Sequence, residues 1–381
     1  MAKKKAIKLA NPFVIQGYVS PEYFCDRKEE TEMICNHFKN GRNITLVAPR
    51  RIGKTGLIKN AFYHIERQDK HAICLYLDIF ATKNLQDFTE MFGSVVFNGF
   101  ARKEKSFLQK TASLLGSLRP VFSNDPYTGM PKMSITVDPS RSQLTIQQIF
   151  DLLATSKHHI YIAIDEFQQI ANYPEAGTEA LLRSHIQFAT GVHFIFAGSK
   201  HHLMAEMFGS PQRPFFQSTE MMDLNPLDKE VYYEFAHQFF EKNRGSLDKD
   251  TFMQLYDSFE GHTWYIQNVL NRLYETRRHV KNMDDVNRAI VQLVDSKSAQ
   301  YESLAQFLSS NQFNLLKAIA SDGIAAEPTG AKFIRQHNMV SASAVQAALK
   351  SLVEKEIIYR TKRGYMIYDR FMSIWLKRTF G

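Results

Sequence analysis

An α/β fold on a parallel sheet, followed by a helical stretch and a C-terminal module of three helices and a β-hairpin, is the architecture this sequence predicts. Three observations predict it. The first two-thirds of the chain alternates short, nearly continuous apolar runs with helical stretches, the pattern of strands buried on both faces beneath covering helices. After Pro226 the apolar spacing changes to the 3.6-residue period, without intervening strands. Beyond Ser309 three short helical segments precede two β-rich runs joined by a turn, the outline of a winged helix-turn-helix.

The elements follow in order. Residues 43–48 (NITLVA), 72–79 (AICLYLDI), 160–164 (IYIAI) and 193–197 (HFIFA) read as buried parallel strands. Between the second and third lies a long insertion, in which residues 120–137, with Asn124-Asp125-Pro126 and Thr128-Gly129, read as a turn-rich hairpin. Residues 229–243, 251–260, 263–277 and 284–297 read as helices, and so do 312–319, 331–337 and 341–355. Ile357-Ile358-Tyr359, a turn at Lys362-Arg363-Gly364 and residues 365–368 then form the wing. At ~150 residues per domain, 381 residues hold two or three domains. The pattern changes divide them at 1–225, 226–305 and 306–381.

Apolar residues at 44% and charged residues at 23% are ordinary for a folded chain and exclude a disordered or fibrous one. No apolar run approaches the ~20 residues that span a bilayer, and the start carries no apolar signal core, so a cytoplasmic protein is expected. Cys25, Cys35 and Cys74 are odd in number and lack C-x-x-C spacing, which signals neither a disulfide framework nor a zinc site. The net charge of +8 is concentrated at the ends. Residues 331–381 hold ten basic and three acidic residues, and Lys3, Lys4, Lys5 and Lys8 add to the other end. Such a basic module attracts phosphate backbones, although solubility explains the same charge.

The strongest chemical signal is the run Ala48-Pro49-Arg50-Arg51-Ile52-Gly53-Lys54-Thr55, followed by Gly56. It fits a P-loop with Ala48 in place of the usual first Gly. A strand feeds the loop, and the helix after it presents Leu57, Ile58, Ala61, Phe62 and Ile65 as a buried stripe. A loop turning into a helix N-terminus aims several backbone N–H groups at one spot, where they hold phosphate oxygens. Lys54 adds a point charge on the β- and γ-phosphates, and the Thr55 hydroxyl is a ligand for Mg²⁺. A second strand delivers Asp165 and Glu166 at its carboxyl end, where open α/β sheets bind ligands. Asp165 is placed to hold the water shell of Mg²⁺ and Glu166 to act as general base, against the competing reading of the pair as a helix N-cap. A third strand ends in Gly198-Ser199-Lys200. Ser199 is placed to sense the γ-phosphate, or else simply caps the next helix. The fold class is thus α/β, a P-loop NTPase with a parallel sheet, followed by a helical subdomain and a winged helix-turn-helix. No Asn-Lys-x-Asp sequence favours guanine, and the expected cofactors are ATP and Mg²⁺.

The runs VAPRRIGKTGL, Asp165-Glu166-Phe167-Gln168 and FAGSKHHLMAEMF resemble the archaeal-type P-loop ATPases of the AAA+/STAND group. The resemblance extends over essentially the whole chain. Phe24-Cys25-Asp26-Arg27 with Glu30 is similar to that group's segment before the P-loop, Gly261-His262 to its lid motif, and Tyr368-Asp369 with Trp375 to its C-terminal ending. By that resemblance the parallel sheet is of the ASCE type, the helical subdomain is a lid, Walker A is Ala48 to Thr55, Walker B is Asp165-Glu166 and sensor 1 is Ser199. The resemblance also implies an adenine pocket near Cys25, Asp26 and Arg27. Ala48 departs from the group's pattern, as does Thr263 where the lid motif usually has Pro. Arg213, after the helix following sensor 1, sits where such proteins often supply an arginine finger to a neighbour, with Arg183 the alternative; a surface ion pair explains either equally well.

Other signals carry less. The pairs His158-His159 and His201-His202 have no third ligand at metal spacing. The aromatic run Tyr232, Tyr233, Phe235, Phe239 and Phe240 reads as core. Two functions therefore compete. One is a Mg-dependent ATPase acting as a nucleotide-controlled switch that reorients the C-terminal module. The other is a DNA-binding regulator using Lys350, Arg360, Lys362 and Arg363, in which hydrolysis is secondary. The expected partners are ATP or ADP, duplex DNA, a protein partner and a second copy of the chain, with no membrane.

Overall fold

The structure, a computed structural model, describes residues 8–103, 118–124, 131–276 and 279–381. By contact the described residues divide into two compact units, one within 16–231 and the other within 8–15 and 232–381.

The first unit is a five-stranded parallel sheet, in which β1 (Ile44–Val47), β2 (Ala72–Asp78), β5 (His159–Asp165), β6 (Val192–Gly198) and β7 (Glu220–Asp223) lie in the order β2-β5-β6-β1-β7. All four expected strands are present. β7 is additional: its acidic ends and short length hide it in the sequence, and it pairs parallel to β1 at the sheet edge. Successive side chains of a strand face opposite ways, and the strand alternation accordingly builds two cores. On one face Ile160, Ile162, Ile164, Phe194 and Phe196 pack with residues of α3 (Leu85–Lys103), α4 (Ser142–Ala154) and α5 (Thr178–Phe188). On the other, Ile44, Leu46, Ala163, Ile195 and Ala197 pack with α1 (Lys28–Lys39) and α2 (Lys54–Gln68).

The expected insertion hairpin exists as β3 (Leu118–Asn124) antiparallel to β4 (Pro131–Val137); its turn, residues 125–130, lies outside the described residues. The hairpin docks through β4, where Ile135 N donates to Ser94 Oγ and Val137 N to Glu90 Oε1 of α3. Gly93 permits the approach, because a Cβ there would stand 2.9 Å from Ile135 Cδ1. After β6, α6 (His201–Gly209) leads on to β7 within the first unit.

The second unit begins within α7 (Lys229–Lys242) and continues through α8 (Lys249–Ser258), α9 (Thr263–Thr276), α10 (Met283–Asp295) and α11 (Ser298–Gln306). The expectation of helices with no strand between them needs correction. Two-residue strands β8 (Ser246–Leu247) and β9 (His279–Val280) pair parallel and tie the loop before α8 to the one before α10. Two-residue bridges have no periodicity to reveal them. Residues 8–15 also pack here: Phe13 is fully buried against the rings of Phe239, Phe240 and Tyr274, Asn11 Nδ2 donates to Asn271 O, and Asn271 Nδ2 donates to Phe13 O.

The C-terminal part is a winged helix, as expected. It comprises α12 (Ser310–Asp322), α13 (Ala331–Gln336), α14 (Ala342–Glu354), the hairpin β10 (Ile358–Thr361) and β11 (Gly364–Ile367), and a closing helix α15 (Arg370–Phe380). Its boundaries are chemically marked: Ser309 and Gln312 form a reciprocal capping box, and the side chains of Ser341 and Asp369 cap α14 and α15. Glu260, in the left-handed region (φ 50°) just after α8, pairs with Arg363 of the wing turn at 2.7 Å and with Arg370. Among the described residues, no helix is long and apolar enough to cross a membrane.

Candidate nucleotide-binding site

The sheet brings four segments to one edge. β6 lies between β1, which feeds the P-loop, and β5, which ends in the acid pair, so Ser199 emerges between the loop and the acids. Ala48 is buried, lies outside the positive-φ residues, and donates its N–H to Gly198 O at 3.2 Å. It continues the β1–β6 ladder by one residue, which is why Ala replaces Gly here without strain. The loop turns on Arg51 (φ 70°) and Gly53 (φ 104°); the latter is a conformation that glycine adopts readily and other residues rarely. Ile52 is buried in the core beneath, Pro49 is exposed, and the Arg50 guanidinium lies 5.5 Å from the Phe80 ring centroid.

Lys54 opens α2 and is itself buried. Its Nζ lies 2.6 Å from Asp165 Oδ1 and 3.2 Å from Glu166 Oε1. Thr55 Oγ1 donates to Asp165 Oδ2 at 3.2 Å, and Tyr76 OH donates to the same oxygen at 2.7 Å. Burial pushes the Asp165 carboxyl up, but the charge of Lys54 and the hydrogen bonds from Lys54, Tyr76 and the Glu166 amide outweigh it, so Asp165 is held below the usual carboxylate range. Burial, and then the charge of Asp165, pushes the Tyr76 phenol up, so that it remains a proton donor. Asp78, paired with Asp165 across β2 and β5, is raised by burial and by repulsion from Asp165 and Glu166.

Glu166 has a left-handed backbone (φ 56°), and its side chain caps nothing. It instead accepts from Lys54 on Oε1, and on Oε2 from Ser199 Oγ at 2.8 Å and Gln168 Nε2 at 2.5 Å. Ser199 likewise makes no cap, since the helix after it starts from Lys200 without a side-chain cap. The N-cap reading of these residues therefore loses its support in both places.

The remaining sequence-predicted residues are placed as follows. Asp26 and Arg27 take consecutive left-handed conformations before α1, and Cys25 beside them is buried. The buried Arg27 guanidinium donates to Glu30 at 2.7 Å, to Asn225 O at 2.6 Å and to Ile52 O at 3.5 Å, so its side chain braces the P-loop from behind. Gly56 sits under Phe24, whose Cε2 would be 2.8 Å from a Cβ there. Arg213 pairs with Glu179 at 2.5 Å and with Glu206 at 3.5 Å within its own unit, and Arg183 donates to Gln187. Neither stands with the residues around Lys54. His159 pairs with Asp69, and among the described residues no group of three or more His, Cys, Asp or Glu side chains is arranged to hold a metal.

Tyr76 and Gln168 are site residues that the sequence reading passed over. Tyr76 was legible only as a strand residue two before Asp78, and Gln168 only as the end of Asp-Glu-Phe-Gln. Their roles depend on strand register and on a turn, which no local pattern gives.

With that geometry in place, residues 24–269 match the family described as an ATPase domain predominantly from Archaea, well over half of the chain. The chain belongs to this ATPase family. Residues 299–378 of this family member match a second description, a "probable winged helix domain". Among solved structures, the archaeal-type ATPase is similar to a Walker-type ATPase of Pyrococcus abyssi (15% identity, TM-score 0.62, covering 96% of this chain and 99% of that one). It is similar also to the ORC2 protein of Aeropyrum pernix with ADPNP and ADP (16%, 0.57, 96% and 96%), and to the ORC1 protein of that organism in complex with DNA (13%, 0.57, 97% and 97%). At these identities the likeness concerns the fold. No curated protein matches the chain in sequence.

Proposed function

We propose that the protein is a Mg-dependent ATPase whose nucleotide state acts as a switch. The observation that carries this is the placement of Lys54 at a helix N-terminus with Asp165, at the end of β5, and the adjacent Glu166 both on its ammonium group. The donor set fits the group the family implies: Thr55 Oγ1 and Asp165 Oδ2 are hard oxygen donors converging on one spot, and Mg²⁺ takes few protein ligands and keeps several waters. Bound with ATP, Mg²⁺ supplies charge neutralisation at the phosphate oxygens. Thr55 and Asp165 are the residues that would hold it.

The chain's own residues do the rest. Lys54 is neutralised by Asp165 and Glu166; phosphate oxygens held by the loop replace those partners with charge-assisted hydrogen bonds of the same kind. The P-loop amides from Arg50 to Gly56 cradle the phosphates. Glu166, released on Oε1, orients the attacking water and takes its proton. Ser199, hydrogen-bonded to the same carboxylate, carries the difference between ATP and ADP to the end of β6. In this reading residues 1–225 form the ATPase domain, 226–305 the lid and 306–381 the winged helix, with the adenine near Cys25, Asp26 and Arg27. Phosphate release should be abolished when excess chelator removes Mg²⁺. Hydrolysis that persists under chelation would overturn the assignment of Thr55 and Asp165.

A second reading, duplex DNA binding by the winged helix, is favoured by one observation: Lys350, Arg360, Lys362 and Arg363 are all exposed on it. Two of them are engaged, Arg363 with Glu260 and Arg360 over the Tyr365 ring. If phosphates recruit these residues, affinity falls steeply with salt. The triple replacement Arg360→Ala, Lys362→Ala, Arg363→Ala should then flatten the log–log salt slope by up to about 0.9 for each phosphate that is no longer neutralised. Fluorescence anisotropy of the full chain on a labelled duplex measures this. A slope unchanged by the triple replacement assigns the basic surface to solubility or protein contact.

A further inference from the structure

Gln168 is an expensive residue where it stands. It is 4% exposed, it lies in the 3₁₀ helix Phe167–Asn172 after Glu166, and among the described residues its buried amide oxygen has no hydrogen-bond partner. Leaving a buried carbonyl unmet forfeits its hydration with nothing in exchange, a cost that an apolar side chain of the same length would avoid. The fold also makes room for it. A Cβ on residue 198 would overlap Gln168 Oε1 and also Met204 Cγ and Sδ, and since Gly198 has no positive φ, the glycine there answers to the space these two side chains take and not to backbone conformation. What Gln168 gives in return is one hydrogen bond, from Nε2 to Glu166 Oε2 at 2.5 Å. The amide orientation follows, because the flipped amide would set its oxygen against the carboxylate.

We infer that Gln168 is a positioning residue that, with Ser199, fixes Oε2 of Glu166 so that only Oε1 faces the reacting water; this rests on the reading of Glu166 as general base. The two oxygens of Glu166 are already divided between two sets of partners. Among the described residues, Oε2 accepts from Gln168 and Ser199, while Oε1 accepts from Lys54 alone. When Lys54 turns to phosphate, the first set remains and the second is vacated. A carboxylate held by one oxygen from two directions cannot rotate to present the wrong face, and it starts from a left-handed backbone that already limits where its side chain reaches. Ser199 alone gives one donor and a freely turning hydroxyl; the planar, buried amide of Gln168 supplies the second direction.

The test uses Gln168→Met, which keeps length and apolar packing and removes the donor, in the full chain. Turnover should fall about tenfold to a hundredfold, with ATP affinity by titration within about twofold of wild type. In a Glu166→Gln background the same replacement should have no further effect, because the carboxylate it positions is gone. A crystal structure of the nucleotide-free Gln168→Met protein gives a readout independent of activity: the Glu166 carboxylate should leave its Ser199 contact or occupy two orientations. Wild-type turnover in Gln168→Met overturns the inference, and so does a carboxylate that stays in place. An equal loss in the Glu166→Gln background, or ATP affinity falling in step with turnover, assigns Gln168 to packing. Wild-type turnover in Glu166→Gln alone instead removes the general-base reading, a failure that the crystal structure of Gln168→Met distinguishes from failure of the positioning.

Discussion

Replacing Lys54 by Ala should lower ATP affinity at least about a hundredfold, because hydrogen bonds to charged groups contribute roughly 1.5–3 kcal/mol each and the ammonium group is placed to make more than one. Isothermal titration measures the loss. The structure adds a second expectation. Lys54 is the cation shared by Asp165 and Glu166, and truncating one member of a buried ion pair costs about 3–5 kcal/mol through the charge left behind. Asp165 is held below the usual carboxylate range chiefly because Lys54 outweighs its burial. Without Lys54 its pKa rises, and the stability it contributes above its unfolded pKa is lost at a higher pH as the solution is acidified. Thermal unfolding should therefore be run beside the titration. A variant that melts as wild type does and binds ATP unchanged removes Lys54 from the phosphate site.

The second large effect is expected at Glu166. Its replacement by Gln should leave ATP affinity within about twofold and slow hydrolysis by about 10²–10³, since an amide cannot accept the proton of the attacking water. The local network tolerates the change. Ser199 can accept where it donated, and Gln168 can turn its amide so that the unmet oxygen receives the new N–H. Lys54 keeps Asp165. Phosphate release under single-turnover conditions reads the chemical step, and wild-type turnover would show that another group orients the water.

Much of this was legible in the residues themselves. The four central strands are continuous apolar runs, and their ends supply the loop, the acid pair and Ser199 directly. The winged helix was readable from three helical segments and a turn, with Ser309 and Ser341 marking helix starts. Three things were not legible, for one physical reason. β7 has two acids among four residues and becomes a strand only by pairing with β1. Residues 8–15 carry no sign that Phe13 is buried among rings more than two hundred residues away. Gln168 and Tyr76 look like ordinary turn and strand residues until register sets them against Glu166 and Asp165. In each case the information lies in a long-range contact, to which local periodicity is blind.

The strand order has a consequence for how the protein reaches its native state. β1 is made early in the chain, yet both its neighbours come from far downstream, Ile44 facing Ile195 on one side and Glu220 on the other. The loop that follows β1 thus has no walls until the last strand of the sheet is in place, and closing such large chain loops is slow because their entropy must be lost before the contacts form. Nucleotide affinity is therefore expected to appear late: in a refolding experiment, nucleotide binding should lag behind the recovery of helical circular dichroism. The same dependence runs in reverse under mass action, because a ligand that recognises only the completed site stabilises every strand that completes it.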